Sequence, residues 1–154
     1  MDPTDRIEAF LEEPAVAVAG VSRDGDLPAN FIYRRLRDAG YEVMAVNPAA
    51  DTTEEDPCYP DLASLPRPVR AVMAATPPSG TEAVVEECLA LEIPKIWIHR
   101  SFGEGSVSGR AVARAREGGM EVIVGGCPLM YVPPVDLAHR CMGWWLRRRG
   151  RIEV

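Results

Sequence analysis

The stretch from Ala15 to Gly25, AVAVAGVSRDG in one-letter code, decides the fold. Its first six residues are continuously apolar and partly β-branched, which predicts a strand buried on both faces of a sheet. A polar loop follows from Ser22 to Leu27, and a helix is predicted from Pro28 to Ala39. Gly40 then lies where a left-handed glycine commonly ends a helix. The stretch therefore predicts a strand–loop–helix unit.

The same unit recurs along the chain. Further strands are predicted at Tyr41–Val46, Val69–Ala75, Lys95–His99 and Met120–Val124. Further helices are predicted at Ser79–Leu91 and Ser106–Glu117, and Ser79 and Glu82 have the spacing of a capping box. An N-terminal helix is predicted to begin at Asp2-Pro3 and to end before Pro14. Alternating strands and helices predict an α/β fold: a Rossmann-like open sheet of five parallel strands with helices on both faces. We expect one domain over residues 1–154, with 51–56 as an acidic mobile loop.

Composition excludes several classes of function. The net charge is −6, which argues against a broad nucleic-acid surface because such a surface needs a basic surplus. No run approaches 18 consecutive apolar residues and no signal peptide is evident, so we expect no membrane association. The four cysteines form no C-x-x-C pair, which leaves a metal site without support. We therefore expect a cytoplasmic protein with reduced thiols.

A helical extension is predicted at the C-terminal end, over residues 134–150. Its helix, Val135–Arg149, carries Leu137, Cys141, Trp144 and Trp145 on or near one side. The predicted sheet already has helices on both faces, which leaves little internal surface for this one. We therefore expect a homodimer in which it takes part, and docking on its own sheet is the alternative.

The loop after the first strand carries the best chemical signal. In an open parallel sheet, ligands bind at the carboxyl ends of strands, near the point where strand order reverses. Here the loop reads G-x-S-x-x-G from Gly20 to Gly25, where a dinucleotide fingerprint would have a second glycine in place of Ser22. The N–H groups at the following helix start favour a phosphate, and Arg23 adds a charge-assisted contact.

The end of the second strand discriminates between cofactors. NAD-binding sheets place an acidic residue there to hold the ribose hydroxyls, whereas this chain has Asn47-Pro48. A carboxylate would repel a phosphate on that ribose, so its absence suits coenzyme A, with its 3′-phosphate, and equally NADP. The NADP alternative, a small oxidoreductase or other nucleotide-binding enzyme, stays open at this point.

An ordered series of motifs resembles the small stand-alone coenzyme A-binding domain proteins, which are similar to the nucleotide-binding domain of the succinyl-CoA synthetase alpha subunit. The matching stretches are Val16–Arg23, Gly40–Pro48, Cys58–Leu62, Val85–Cys88, Lys95–Ile98 and Cys127-Pro128. The resemblance implies a Rossmann fold with coenzyme A or an acyl-coenzyme A as ligand. It also implies a binding protein without evident catalysis of its own.

Site residues follow from the resemblance by position. It implies that phosphates are cradled by Gly20, Val21, Ser22 and Arg23, that the adenosine is bordered by Asn47 and Pro48, and that the groove is lined by Thr76, Pro77 and Pro78. To this cofactor-binding set we add Asn30, His99 and Cys127. Two stretches depart from the family pattern: the acids in 51–56, which would oppose phosphates if they faced the site, and Leu129-Met130-Tyr131 after Pro128.

His99 and Cys127 have side chains that could carry out chemistry. His99 ends the fourth strand, and we interpret it as a ligand-lining or hydrogen-bonded structural histidine. Cys127 is interpreted as a buried thiol that packs like a small hydrophobe, with a nucleophile or a mixed disulfide to coenzyme A as the alternatives. The chain offers no evident set of nucleophile, base and orienting group. A regulatory or scaffold protein with a vestigial groove is the third functional hypothesis.

Overall fold

A computed structural model describes residues 3–153 and has the predicted α/β architecture. Seven strands form one sheet in the order β3-β4-β2-β1-β5-β6-β7. The helices are α1 (Pro3–Leu11), α2 (Pro28–Asp38), α3 (Pro78–Ala90), α4 (Gly109–Glu117) and α5 (Leu137–Arg148). The strands are β1 (Ala15–Ala19), β2 (Glu42–Val46), β3 (Thr52–Thr53), β4 (Asp56–Tyr59), β5 (Ala71–Ala74), β6 (Lys95–Ile98) and β7 (Glu121–Val124). The predicted cap Asp2 lies outside the described residues.

Strand β1 lies at the centre of the sheet, parallel to β2 on one side and β5 on the other. Its side chains alternate, so Val16 and Val18 pack in the layer of α1, α2 and α5, whereas Ala17 and Ala19 pack in the opposite layer with residues of α3 and α4. The chain moves outward from β1 to β2 and β4, then returns to β5 and continues to β7. Strand order therefore reverses beside β1, as predicted.

Helix α2 follows directly from its sequence. Pro28 occupies the first turn, where its missing N–H would have no helical partner anyway. Ala29, Ile32, Tyr33 and Leu36 are buried at i, i+3, i+4 and i+7, which is the spacing of a single helix face. This face fixes α2 on the sheet and so fixes the position of its N-terminus at the carboxyl end of β1.

The acidic loop prediction at 51–56 is wrong. The segment contributes two short strands, with β3 antiparallel to β4 and β4 parallel to β2. Glu54 and Glu55 form the turn between them, and both have positive φ, 50° and 67°. Two-residue hairpin turns of this kind need positive φ at both central positions. Strands of two to four residues carry too little alternation for the sequence to reveal them.

The predicted cap of α3 is also wrong. The helix begins at Pro78 with Pro77 before it, and no side chain caps its N-terminus. A proline at the first helical position is favoured, which moves the start one residue ahead of Ser79. Glu82 instead accepts a hydrogen bond from Ser108 Oγ at 2.6 Å. Ser108 itself caps α4 by accepting from the Ala111 N–H at 3.3 Å.

Helix α5 packs on its own domain, which was the alternative, although little internal surface was expected to be free for it. It buries Gly143 and Leu146 on the side of the sheet that α1 and α2 cover, and it contacts the short 3₁₀ turn Pro128–Met130. The face predicted to be buried points mostly outward, since Leu137 is 75% exposed and Trp144 is 58% exposed. The helix has apolar residues on two sides, so periodicity alone did not identify the inner one.

The tail after α5 returns to the sheet. Glu153 and Val124 exchange a pair of backbone hydrogen bonds of 2.7 and 2.8 Å, which forms an antiparallel bridge on the outer side of β7. Within the described residues, none of the helices is long and apolar enough to cross a membrane.

Candidate functional site

A groove of about 450 Å³ opens at the carboxyl edge of the sheet, on the side of α3. It lies at the ends of β1, β2 and β5, where strand order reverses and where ligands of such sheets bind. Its lining consists of Ala19, Gly20, Ser22, Leu27, Val46, Asn47, Pro48, Pro60, Thr76, Pro77, Gly80, Ala83, Val84 and Glu87. We call it the β1 groove.

Gly20 is required by the backbone at the head of the β1 groove. Its φ is +102°, and a Cβ there would lie 2.5 Å from the carbonyl oxygen of Ala75. Gly20 N–H also donates to the carbonyl of Val46 at 2.9 Å, which holds the ends of β1 and β2 together. The turn therefore needs glycine for its conformation and for the close approach of β5.

Asn30 holds the loop that follows Gly20. Its Oδ1 accepts from the Ser22 N–H at 3.0 Å, and its Nδ2 donates to the Ser22 carbonyl at 2.7 Å. The side chain is fully buried behind the loop and does not line the β1 groove. Asn30 thus fixes Ser22 in place from α2, and its part in ligand binding stays a prediction.

Glu54 completes this support from the neighbouring hairpin. Its Oε1 accepts from Asn30 Nδ2 at 2.7 Å and from Arg34 at 2.6 Å, while Arg34 also donates to the Gly25 carbonyl at 3.0 Å. Burial alone would raise the pKa of the Glu54 carboxyl, but the bonds from Asn30 and Arg34 outweigh it and lower the pKa below its usual value. The Glu54 carboxylate is therefore ionised and paired with Arg34, and its bond to Asn30 stabilises the loop.

The loops after β2 and β5 form the other walls of the β1 groove. Asn47 donates from Nδ2 to the Val21 carbonyl at 2.9 Å, and its Oδ1 accepts from the Ala49 N–H at 2.9 Å. Thr76 shares a hydrogen bond of 2.9 Å with Thr81, the buried threonine of α3. A Cβ at Gly80 would lie 2.9 Å from Thr76 Cβ, so glycine lets α3 approach this loop.

A second cavity of about 630 Å³ opens at the same edge, on the α2 side of the sheet. It lies between the length of α2, the loop after β6, the segment after β7 and the first turns of α5. Its lining consists of Pro28, Phe31, Arg34, Arg35, Asp38, His99, Ser101, Phe102, Cys127, Leu129, Asp136, His139 and Met142. We call it the α2 cavity.

His99 and Cys127 lie at the buried end of the α2 cavity, and both are uncharged at neutral pH. Burial lowers the pKa of His99 to about 4, and its Nε2 lies 3.1 Å from Ser101 Oγ. Burial raises the pKa of the Cys127 thiol to about 11. A thiol must ionise to be an efficient nucleophile, so this environment opposes nucleophilic chemistry at Cys127.

The structure divides the predicted site residues into three groups. Six of them meet in the β1 groove, namely Gly20, Ser22, Asn47, Pro48, Thr76 and Pro77. His99 and Cys127 lie together in the α2 cavity. The other four line neither space, since Val21 and Asn30 are buried, Pro78 begins α3 and Arg23 is exposed on the loop.

Sequence reasoning missed eight residues that line the β1 groove: Ala19, Leu27, Val46, Pro60, Gly80, Ala83, Val84 and Glu87. Four of them lie within the family-like stretches, which was the signal that could have found them: Ala19, Val46, Pro60 and Glu87.

The fold and the position of the β1 groove are those of a Rossmann-like domain. The sequence matches the family of CoA binding domains over residues 14–133, and the chain therefore belongs to that family. This membership supports coenzyme A as the ligand in general terms.

The chain is similar to several known proteins. The uncharacterized protein YneT of Bacillus subtilis (strain 168) is 28% identical over 120 residues, which cover 78% of this chain and 86% of YneT. A hypothetical protein from Pyrococcus horikoshii OT3 shares the fold, with a TM-score of 0.74 at 23% identity over 82% of this chain and 87% of that chain. A dinucleotide forming acetyl-coenzyme A synthetase 1 of Ca. Korarchaeum cryptofilum, in complex with phosphate and ADP, gives a TM-score of 0.64 at 26% identity, over 75% of this chain and 26% of that chain.

Proposed function

We propose that the protein binds coenzyme A or an acyl-coenzyme A, with the nucleotide half of the ligand in the β1 groove. The observation that carries this proposal is the position of the groove where strand order reverses, in a chain that belongs to the CoA binding domain family. The lining suits a nucleoside, because Pro48, Pro60 and Pro77 contribute apolar surface against which a base can pack. Its one charged residue, Glu87, accepts from the Leu62 N–H at 2.8 Å.

Arg23 is the residue we propose for the phosphates. Three arginines lie near this end of α2, but Arg34 is paired with Glu54, and Arg35 donates to the carbonyls of Val132 and Pro134. Arg23 is exposed on the loop beside Ser22, which lines the β1 groove and whose hydroxyl accepts from the Asp24 N–H at 3.1 Å. A guanidinium at this position can meet phosphate oxygens with charge-assisted hydrogen bonds.

We further propose that binding is the whole activity of this chain. Its neutral His99 and protonated Cys127 support this, because neither is tuned as a base or nucleophile near pH 7. Cytoplasmic location stays a prediction. The alternative, an NADP-dependent enzyme, is tested by comparing the affinity for NADP with that for coenzyme A.

Isothermal titration with coenzyme A, acetyl-CoA, NADP and ATP tests the proposal. We expect tight binding of the first two ligands, weak binding of the others, and recovery of acetyl-CoA intact by mass spectrometry. A preference for NADP would establish the oxidoreductase hypothesis instead. Absence of binding by all four ligands would favour a scaffold with a vestigial groove.

The contribution of Arg23 is tested with dephospho-coenzyme A and the variant Arg23→Gln. We expect dephospho-coenzyme A to bind more weakly than coenzyme A by about 1–3 kcal/mol, the range of one charged hydrogen bond. Arg23→Gln should remove most of that preference. Arg116→Gln is the matched control, since Arg116 is exposed in the last turn of α4, at the other edge of the sheet. Equal affinity of the unsubstituted protein for the two ligands contradicts the 3′-phosphate assignment.

A further inference from the structure

The α2 cavity opens at the same carboxyl edge as the β1 groove, and the proposed nucleotide site does not use it. The α2 cavity is the larger, and it adjoins the groove at the start of α2, where Leu27 lines one and the next residue, Pro28, lines the other. A ligand whose nucleotide occupies the groove can therefore continue into the α2 cavity by passing over the first turn of this helix.

The rim of the α2 cavity is aromatic and open to solvent. Phe102 is 71% exposed on the loop after β6, and Phe31 is 46% exposed on α2. Leu129 and Met142 add apolar surface from the 3₁₀ turn and from α5. Large apolar side chains grouped around a concavity are typical of a binding site for an apolar group.

Most of the charged residues of the α2 cavity are paired within the protein, whereas Asp38 is 73% exposed and contacts Arg37 Nε only at 4.0 Å, so its carboxylate would repel an anionic ligand. Arg34 binds Glu54 at 2.6 Å, and Asp136 binds His139 Nδ1 at 2.6 Å. Arg35 donates to two backbone carbonyls. Because these contacts neutralise or occupy the charged groups, the cavity favours an uncharged occupant over a carboxylate.

The buried end of the cavity is polar but neutral. His99 is 7% exposed and shares a hydrogen bond with Ser101, whose hydroxyl can also donate to a carbonyl oxygen. An apolar rim above a neutral hydrogen-bonding floor fits a thioester that carries a hydrocarbon chain.

We propose that the α2 cavity takes the acyl end of an acyl-coenzyme A and that the acyl group is uncharged and apolar. This inference rests on the proposed function, since the nucleotide half anchors the ligand in the β1 groove. Asp136, His139 and Met142 of the cavity lie beyond residues 14–133, the part that matches the family. The C-terminal helix thus supplies a wall of the acyl site that the common domain does not include.

Titration with a ladder of ligands tests this inference on the full chain: coenzyme A, butyryl-CoA, hexanoyl-CoA and succinyl-CoA. We expect hexanoyl-CoA to bind at least tenfold more tightly than coenzyme A, and succinyl-CoA more weakly than butyryl-CoA. Met142→Trp should fill the cavity and reduce the preference for hexanoyl-CoA over coenzyme A to less than twofold. Leu137→Trp is the matched control, because it adds an indole on the exposed side of the same helix and should keep the preference.

Phe102→Ala provides a second variant that changes only an exposed side chain, and we expect it to reduce the hexanoyl preference severalfold. Equal affinity of the unsubstituted protein for hexanoyl-CoA and coenzyme A would overturn this inference and leave the proposed function standing. So would a hexanoyl preference that survives both Met142→Trp and Phe102→Ala, or tighter binding of succinyl-CoA than of butyryl-CoA. Failure of coenzyme A and all its thioesters to bind would overturn the proposed function, and this inference with it.

Discussion

The β1 groove and the α2 cavity open on the same edge of the sheet but differ in the parts of the chain that form them. The groove is formed by tight backbone turns and prolines, and all of its lining residues lie within the family match. The α2 cavity is formed by side chains from four separate elements, one of which is the C-terminal helix outside that match. The β1 groove therefore depends on backbone geometry, whereas the α2 cavity depends on which side chains the helices bring together.

The largest expected effect comes from breaking the backbone geometry of the groove. Gly20→Ala should lower the free energy of unfolding by about 4 kcal/mol, because a strained φ is combined with a clash against the Ala75 carbonyl. Gly40→Ala is the control, with a φ of +92° and no atom within 4 Å of its Cβ, and should cost roughly 1–2 kcal/mol. Urea unfolding of the two variants measures the difference. Equal losses of unfolding free energy would show that the Ala75 carbonyl causes no clash at position 20.

The next effect concerns the floor of the α2 cavity. Burial lowers the pKa of His99 to about 4, below the 6.5 of an exposed histidine, so the folded state binds fewer protons than the unfolded state between these values. The stabilisation is complete above pH 6.5 and is lost as the pH falls toward 4, by about 3 kcal/mol in total. His99→Gln should lack this loss, and acids such as Glu54 act equally in both proteins. Parallel unfolding profiles for the two proteins between pH 7 and 4 would contradict the buried, neutral histidine.

The smallest effect concerns the outer side of the helix that closes the α2 cavity. Leu137, Cys141 and Trp144 face outward, while the helix begins at Asp136 and ends at Arg148. Antiparallel packing of two copies would bring unlike charges together at each end, and we predict a homodimer of this kind. Light scattering at micromolar concentration should give a dimer for the unsubstituted protein and for Trp144→Phe, but a monomer for Trp144→Glu. A monomeric unsubstituted protein contradicts the prediction.

Most of the fold was predictable because its elements are long enough to show their periodicity. The alternation of buried strands and helices identified the parallel sheet, and its first turn identified the β1 groove through Gly20 and Ser22. Asn47 and Thr76 followed from the loops that topology brings to the same edge. Local pattern was sufficient wherever backbone geometry determines the structure.

The parts that were not predictable depend on tertiary contacts. The role of Asn30 behind the loop requires the hairpin at Glu54, and the two-residue strand β3 leaves no periodic signal. His99 and Cys127 were placed at the correct edge, but they follow β6 and β7, which lie two and three strands away from β1. A helix with apolar residues on two sides does not reveal from sequence which side meets the domain.

The backbone bridge between Glu153 and Val124 has a consequence for molecules in concentrated solution. An outermost strand with free N–H and carbonyl groups can recruit a strand from another molecule, which is a route to aggregation. Here the returning tail occupies part of the free side of β7, and at the opposite side of the sheet the last strand, β3, is only two residues long. Both ends of the sheet are thereby poor templates for growth, so the protein can keep its apolar strands without offering them to neighbouring chains.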